Sequence, residues 1–151
     1  RLVEKAKLRD LPNVVNFGFA TGPAGAVIKD AIDGGELGDL VGIDMQFHFP
    51  KWPRGWQQAC SWLSGREEGG FVREVFSHFA YLTYQLVGLP VVRNSSVTYP
   101  DEPGLSETHV FASMQSCGLP VNMTGRVGGA APGVSGRFRS EQDLDQRIGR
   151  E

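Results

Sequence analysis

Between Gly69-Gly70 and Gly88-Leu89-Pro90, the stretch from Phe71 to Val87 contains no glycine and no proline. Breakers at both ends and none between predict one long helix over Phe71 to Val87. Val72, Val75, Phe76, Phe79, Leu82 and Leu86 recur at helical spacing and define an apolar face. Glu74, His78, Tyr81 and Gln85 follow one another at steps of four, three and four, giving the same helix a polar stripe. A helix that is mostly apolar is buried on several sides. Its polar stripe then needs partners, because a buried polar group without a hydrogen bond is costly.

The 151 residues suffice for one domain with a substantial core and are too few for two. A net charge of -2 and the lack of a basic stripe interleaved with aromatics exclude a nucleic-acid-binding role. Charged residues or glycines interrupt every apolar stretch, so no membrane span or signal peptide is expected, and a soluble cytoplasmic protein is the expectation. Cys60 and Cys117 have no short-range pairing, and two reduced thiols are expected. The abundance of glycine, 20 residues against 9 prolines, indicates many tight turns and favours a sheet-containing domain over a helical bundle.

In chain order, Arg1 to Arg9 reads as a helix already under way, which suggests a fragment. Leu11-Pro12 breaks it, and Asn13 to Phe19 has the make-up of a short buried strand. A helix is predicted after Thr21-Gly22-Pro23, with Thr21 as a possible cap, Val27, Ile28, Ala31 and Ile32 on its apolar face, and Gly34-Gly35 at its end. From Val41 to Phe49 apolar and polar residues alternate strictly, which is the clearest strand signal in the chain. Pro50 to Glu68 is irregular and carries all three tryptophans, Trp52, Trp56 and Trp62, with Arg54, Gln57 and Gln58. Aromatic walls with a few polar groups suit a ligand pocket; they equally suit a loop that covers the core. Val91 to Tyr99, Thr108 to Gln115 and Pro120 to Val127 are three further strands separated by turns, hence antiparallel neighbours. The end of the chain, from Gly128, is expected to bury little, as a short helix after a loop or a poorly ordered tail. The fold class is α+β, a mostly antiparallel sheet packed against helices.

Three stretches carry a resemblance. Gly34-Gly35-Glu36-Leu37-Gly38-Asp39-Leu40 resembles the turn into the first sheet strand of the Gfo/Idh/MocA oxidoreductases, the family of glucose-fructose oxidoreductase and inositol dehydrogenase. Gly69-Gly70 through His78 resembles that family's G-G-x-x-x-D-x-x-x-H helix, and Leu86-Val87-Gly88-Leu89-Pro90-Val91 resembles its exit from that helix. The resemblance implies that residues 1–20 end an N-terminal Rossmann domain. It implies that residues 21–151 form a C-terminal substrate and oligomerisation domain, of the kind found in glyceraldehyde-3-phosphate dehydrogenase. It also implies NAD or NADP as cofactor of the whole protein, a sugar or polyol as substrate, and a homo-oligomer formed through the open sheet face. Two features depart from the family. Glu74 stands where the family has aspartate, and both the glycine-rich dinucleotide fingerprint and the Glu-Lys-Pro motif are absent; Lys5 lies inside a helix and does not replace that lysine.

Oxidation of a secondary alcohol by a nicotinamide requires a base for the hydroxyl proton, and histidine serves near neutral pH. His78 is the expected catalytic residue, with Glu74 one turn away as its partner or as a ligand for a substrate hydroxyl. Trp52, Arg54, Trp56 and Tyr81 are the expected substrate-binding residues. His48, His78 and His109 lack the spacing of metal ligands, and no triad forms around Cys60. Two functions follow: the substrate domain of an NAD(P)-dependent oxidoreductase, inactive by itself, or a non-catalytic module that binds a small molecule or pairs with itself.

Overall fold

The computed structural model describes residues 2–129 and the backbone of residues 133–140. The chain begins with helix α1 (Leu2–Leu8), which buries no residue. Of Asn13 to Phe19, expected as a strand, residues 13–17 have no regular structure and Gly18 and Phe19 enter a helix, and Val14 and Val15 are exposed. A strand needs a ladder partner for its backbone groups, and among the described residues none runs beside this segment. The chain instead turns into a short helix, α2 (Gly18–Thr21), followed by α3 (Pro23–Asp33). Proline occupies the first turn of α3 as expected, but Thr21 belongs to α2 and Gly22 holds the cap position without a side-chain bond.

Strand β1 (Leu40–Phe49) keeps the alternation of its sequence, with Ile43, Met45, Phe47 and Phe49 buried. The tryptophan-rich connection follows, with 3-10 turns at Gly55–Gln57 and Ser61–Ser64. The long helix comes next, opening in a π-helical segment at Val72–Phe76 and continuing as α4 (Ser77–Val87). Strands β2 (Val91–Thr98), β3 (His109–Ser116) and β4 (Leu119–Val127) complete an antiparallel meander. A fifth strand, β5 (Gly133–Ser140), runs antiparallel to β1 where the sequence suggested a helix or an unordered tail. Residues 141–151 lie outside the described residues.

The sheet order is β2-β3-β4-β1-β5. It is mixed: β1 and β4 run parallel, with Ile43 opposite Val121 and Phe49 opposite Val127, and the other pairings are antiparallel. The parallel pair has a simple cause. The long helix returns the chain to the starting edge, so β2 runs in the direction of β1, and two hairpins later β4 does so again. Sequence order alone does not reveal that β1 sits beside β4.

One face of the sheet carries the core. Ile43, Met45, Phe47, Val110, Ala112, Met114, Val121 and Met123 meet Phe71 and Val75 of the helix. Fully burying side chains of this size contributes roughly 1.5–3 kcal/mol each. The π segment moves the buried line along the helix from the expected one: Phe71, Val75, Thr83 and Leu86 are buried, and Leu82 is half-buried. The outer side of α4 is contacted by α2 and α3.

The two glycines before the helix are dictated by close approaches. A Cβ on Gly69 would collide with the Leu63 backbone, and one on Gly70 with the Glu107 carboxylate. Gly70 also has φ +93°, which side chains rarely adopt. Glu107 itself is buried and accepts a hydrogen bond from the Val72 backbone N–H at 2.8 Å, so a carboxylate closes the N-terminal end of the helix. Gly125 of β4 leaves room for the Phe71 ring, which is fully buried against it.

Gly70→Ala is therefore expected to destabilise the fold by about 3 kcal/mol or more, from backbone strain and displacement of Glu107 together. Gly35→Ala has φ +73° and nothing within 4 Å, and should cost only the strain of about 1–2 kcal/mol. Urea unfolding of the two variants checks the difference; equal losses would mean that Glu107 yields without cost.

Candidate functional site

The long helix distributes the expected site residues over two groups. The first surrounds His78. Its ring meets Phe17 edge-on at 5.3 Å and Phe19 edge-on at 5.6 Å, and Phe17 stacks on Tyr81 at 4.6 Å. Phe19 stacks in turn on Phe79, which packs on Phe47 of the core. The residues read as a strand thus serve as an aromatic cover for the polar stripe of α4. His78 Nδ1 is buried and has no hydrogen-bond partner among the described residues. A buried imidazole nitrogen without a partner is costly to leave so, and its neighbours here are rings that offer it no acceptor or donor.

The second group surrounds Glu74, in the π segment. π-Helical turns widen the helix and occur often where side chains are presented for function. Glu74 Oε1 accepts a hydrogen bond from Gln57 Nε2 at 3.2 Å. Gln57 Oε1 in turn accepts from Arg54 Nε at 2.8 Å and from the Arg54 backbone N–H at 3.3 Å. The Arg54 guanidinium lies 4.7 Å from the Trp56 ring, 5.6 Å from Trp52 and 5.9 Å from Phe49, within reach of cation–π attraction. Burial lowers the Arg54 pKa from its ordinary value, and the charge of Glu74 partly opposes that shift. Arginine remains a cation at any working pH.

The expected His78–Glu74 hydrogen bond does not form: Glu74 is held by Gln57 instead. The helix backbone connects the two groups, and among the described residues no hydrogen bond or ring contact bridges them. The tryptophans divide by role. Trp52 is half-buried, donates its indole N–H to the Leu63 carbonyl at 2.9 Å and packs on Phe49 and Phe71, so it covers the core. Trp56 and Trp62 are exposed, at 75% and 51%. Gln57 is the residue whose importance the sequence did not single out. It is only 3% exposed, and its one visible signal was a polar side chain inside an aromatic-rich connection.

A cavity of about 540 Å³ lies on the open face of the sheet, lined among others by Gln46, His48, His109, Phe111, Thr124 and Arg126. Another of about 370 Å³ lies between the long helix and β2. Neither includes His78, Arg54 or Trp56. Among the described residues no group of three or more His, Cys, Asp or Glu could hold a metal ion, and no helix is long and apolar enough to cross a membrane. Cys60 and Cys117 are both free and exposed.

No protein-family model matches this chain, and no curated protein matches it. Solved structures do match it. The 3-ketoreductase KijD10 from Actinomadura kijaniata, in complex with NADP and TDP-benzene, aligns with TM-score 0.75 and 18% identity over 93% of this chain and 42% of its own. The WlbA dehydrogenase from Bordetella pertussis, in complex with NADH and UDP-GlcNAcA, aligns with TM-score 0.70 and 17% identity over 93% of this chain and 44% of its own. A super-repressor mutant of Gal80p from Saccharomyces cerevisiae aligns with TM-score 0.71 and 14% identity over 93% of this chain and 41% of its own. Identities this low establish a shared fold, that of an α+β domain present in these proteins. The chain spans about two fifths of the length of the solved structures it matches.

Gln57→Leu removes both the acceptor of Arg54 and the donor to Glu74, and is expected to destabilise the protein by about 1–3 kcal/mol. Gln58→Leu, at the exposed neighbouring position, should change stability by less than about 0.5 kcal/mol. Thermal or urea unfolding of the pair checks this, and equal midpoints would remove Gln57 from the network.

Proposed function

We propose that this chain is the substrate-binding part of an NAD(P)-dependent oxidoreductase of the Gfo/Idh/MocA type, acting on a sugar-like or polyol substrate. In this reading residues 1–20 end a Rossmann domain, and residues 21–151 are the C-terminal domain of glyceraldehyde-3-phosphate-dehydrogenase-like fold. The observation that carries the reading is His78, an imidazole with a buried nitrogen unpaired among the described residues, on the helix where the family places its catalytic histidine. The fold shared with NAD(P)-bound oxidoreductases supports it.

The residues present offer a base for the substrate alcohol and do not by themselves fit a nicotinamide cofactor. His78 offers an unsatisfied nitrogen beside which an alcohol could be bound, whereas the sequence contains no glycine-rich phosphate-binding turn. A bound nicotinamide would supply the hydride acceptor. His78 takes the hydroxyl proton of the substrate, and its neutral form is the competent one. Phe17 and Phe19 cover part of the imidazole, so access to it requires these rings to turn aside. They also keep water from the nitrogen. Glu74, held by Gln57 through one oxygen, binds a substrate hydroxyl with the other, and Trp52, Arg54, Trp56 and Tyr81 line the remainder of the substrate. The open sheet face pairs copies of the chain.

The second reading, a binding module without catalysis, has one observation in its favour: Glu74 is held by Gln57 and not by His78, so no acid–base pair is assembled. Kinetics separate the two. In the full-length protein, His78→Ala is expected to lower kcat by about 100- to 10,000-fold while leaving cofactor affinity unchanged, measured by steady-state rates and by titration with NAD(P)H. Unchanged turnover would exclude His78 as the base. The 151 residues alone are expected to show no turnover with added NAD(P)+.

A further inference from the structure

The Arg54 guanidinium is fixed in place yet incompletely used. Its Nε is bound to Gln57 Oε1 at 2.8 Å, and the Trp56 indole lies 4.7 Å from its carbon. Its two terminal nitrogens have no hydrogen-bond or ion-pair partner among the described residues. Gln57, which anchors it, is buried and is itself bound to Glu74. The charge of Glu74 acts on the cation from a distance, with the Gln57 amide between them, and the two form no ion pair among the described residues. A planar fork held by its inner nitrogen, with both outer nitrogens available, matches the two oxygens of a carboxylate or phosphate in geometry. Burial strengthens the case. A partly desolvated cation whose counter-charge, Glu74, is not in direct contact with it gains more from an incoming anion than an exposed one does. Because the aromatic stack and the Gln57 bond already orient the fork, little side-chain freedom is lost on binding.

We propose that the outer nitrogens of Arg54 receive the oxyanion of an acidic sugar or polyol, a carboxylate or a phosphate ester, with Gln57 as the positioning residue. This deepens the oxidoreductase reading and rests on it for the direction in which the substrate lies. Glu74 carries one carboxylate oxygen without a hydrogen-bond partner among the described residues. It accepts a neutral hydroxyl and repels a second acid, so the acidic end of the substrate is directed to Arg54. His78 follows Glu74 four positions later on the same helix, and a hydroxylated substrate chain of a few carbons runs from one to the other.

The test uses glucose, glucuronate and glucose 6-phosphate as probes with the full-length protein, in calorimetric titrations at low and high salt. At least one acidic probe is expected to bind about tenfold or more tightly than glucose, with the advantage shrinking as salt rises. Which acid gains identifies carboxylate or phosphate. Arg54→Met should abolish the advantage of the acid over glucose, and Arg54→Lys, which keeps the charge and loses the fork, should retain only part of it. Thermal unfolding of both variants verifies that they fold. Equal affinities for the three probes, absence of binding by both acids, or an advantage that survives Arg54→Met overturns the proposal. Since no turnover is measured, the outcome is separate from the fate of the catalytic reading. Binding through Arg54 in a protein whose rates ignore His78 would leave the anion site standing alone.

Discussion

The hydrogen bond from the Val72 backbone N–H to the buried Glu107 carboxylate fixes where the long helix begins, and the rest of the arrangement depends on that point. Glu107 lies just before β3, so the bond ties the helix start to the meander. It leaves no room for a side chain at Gly70. It sets Phe71 beneath Gly125 of β4, and thereby the height at which the helix crosses the sheet. Each residue of the polar stripe takes its place from the same origin. A carboxylate at a helix N-terminus is favoured by the free N–H groups and by the helix dipole, which accounts for a charged residue tolerated inside this packing.

From that origin the helix divides the site by depth. Its first turns, π-helical, present Glu74 to the tryptophan-rich connection, where Gln57, itself bound to Arg54, holds it. Its next turn presents His78 to Phe17 and Phe19 of the N-terminal segment. One element therefore carries a polar, cation-bearing region and an aromatic-covered imidazole side by side. In the proposed reading the first binds an acidic, hydroxylated substrate and the second moves a proton. The connection that supplies Arg54 is anchored at both ends of its own fold, by Trp52 on the Leu63 carbonyl and by the Gly70 N–H on that same oxygen at 2.9 Å. That double use of one carbonyl ties the loop to the start of the helix.

Much of this was legible in the sequence, and the exceptions have physical causes. Strict alternation gave Val41 to Phe49 its buried face, and the alternations in β3 and β4 likewise matched their burial. These strands each have one wet and one dry face, so the period survives. The long helix was readable from its end signals, but the π segment was not, because a single wide turn leaves no mark on spacing; as a result Thr83 is buried where Leu82 was expected. Asn13 to Phe19 has the composition of a strand and lacks a neighbour to pair with among the described residues, so its aromatics pack on α4. The partners of Glu74 and of Val72, namely Gln57 and Glu107, come from 17 and 35 residues away. Such pairings depend on how the loops close, which local pattern does not encode. The parallel alignment of β1 with β4 was hidden for the same reason.

The central claim is that the His78 turn of the helix forms the wall against which an alcohol is oxidised. A crystal structure of the full-length protein with NAD(P) and a substrate analogue measures this most directly. The account predicts a substrate hydroxyl within hydrogen-bond distance of the His78 imidazole, about 2.6–3.2 Å, with the carbinol carbon facing the nicotinamide at about 3–3.5 Å. A nicotinamide bound on the far side of the sheet, or an imidazole still enclosed by Phe17 and Phe19 with substrate in place, would contradict it.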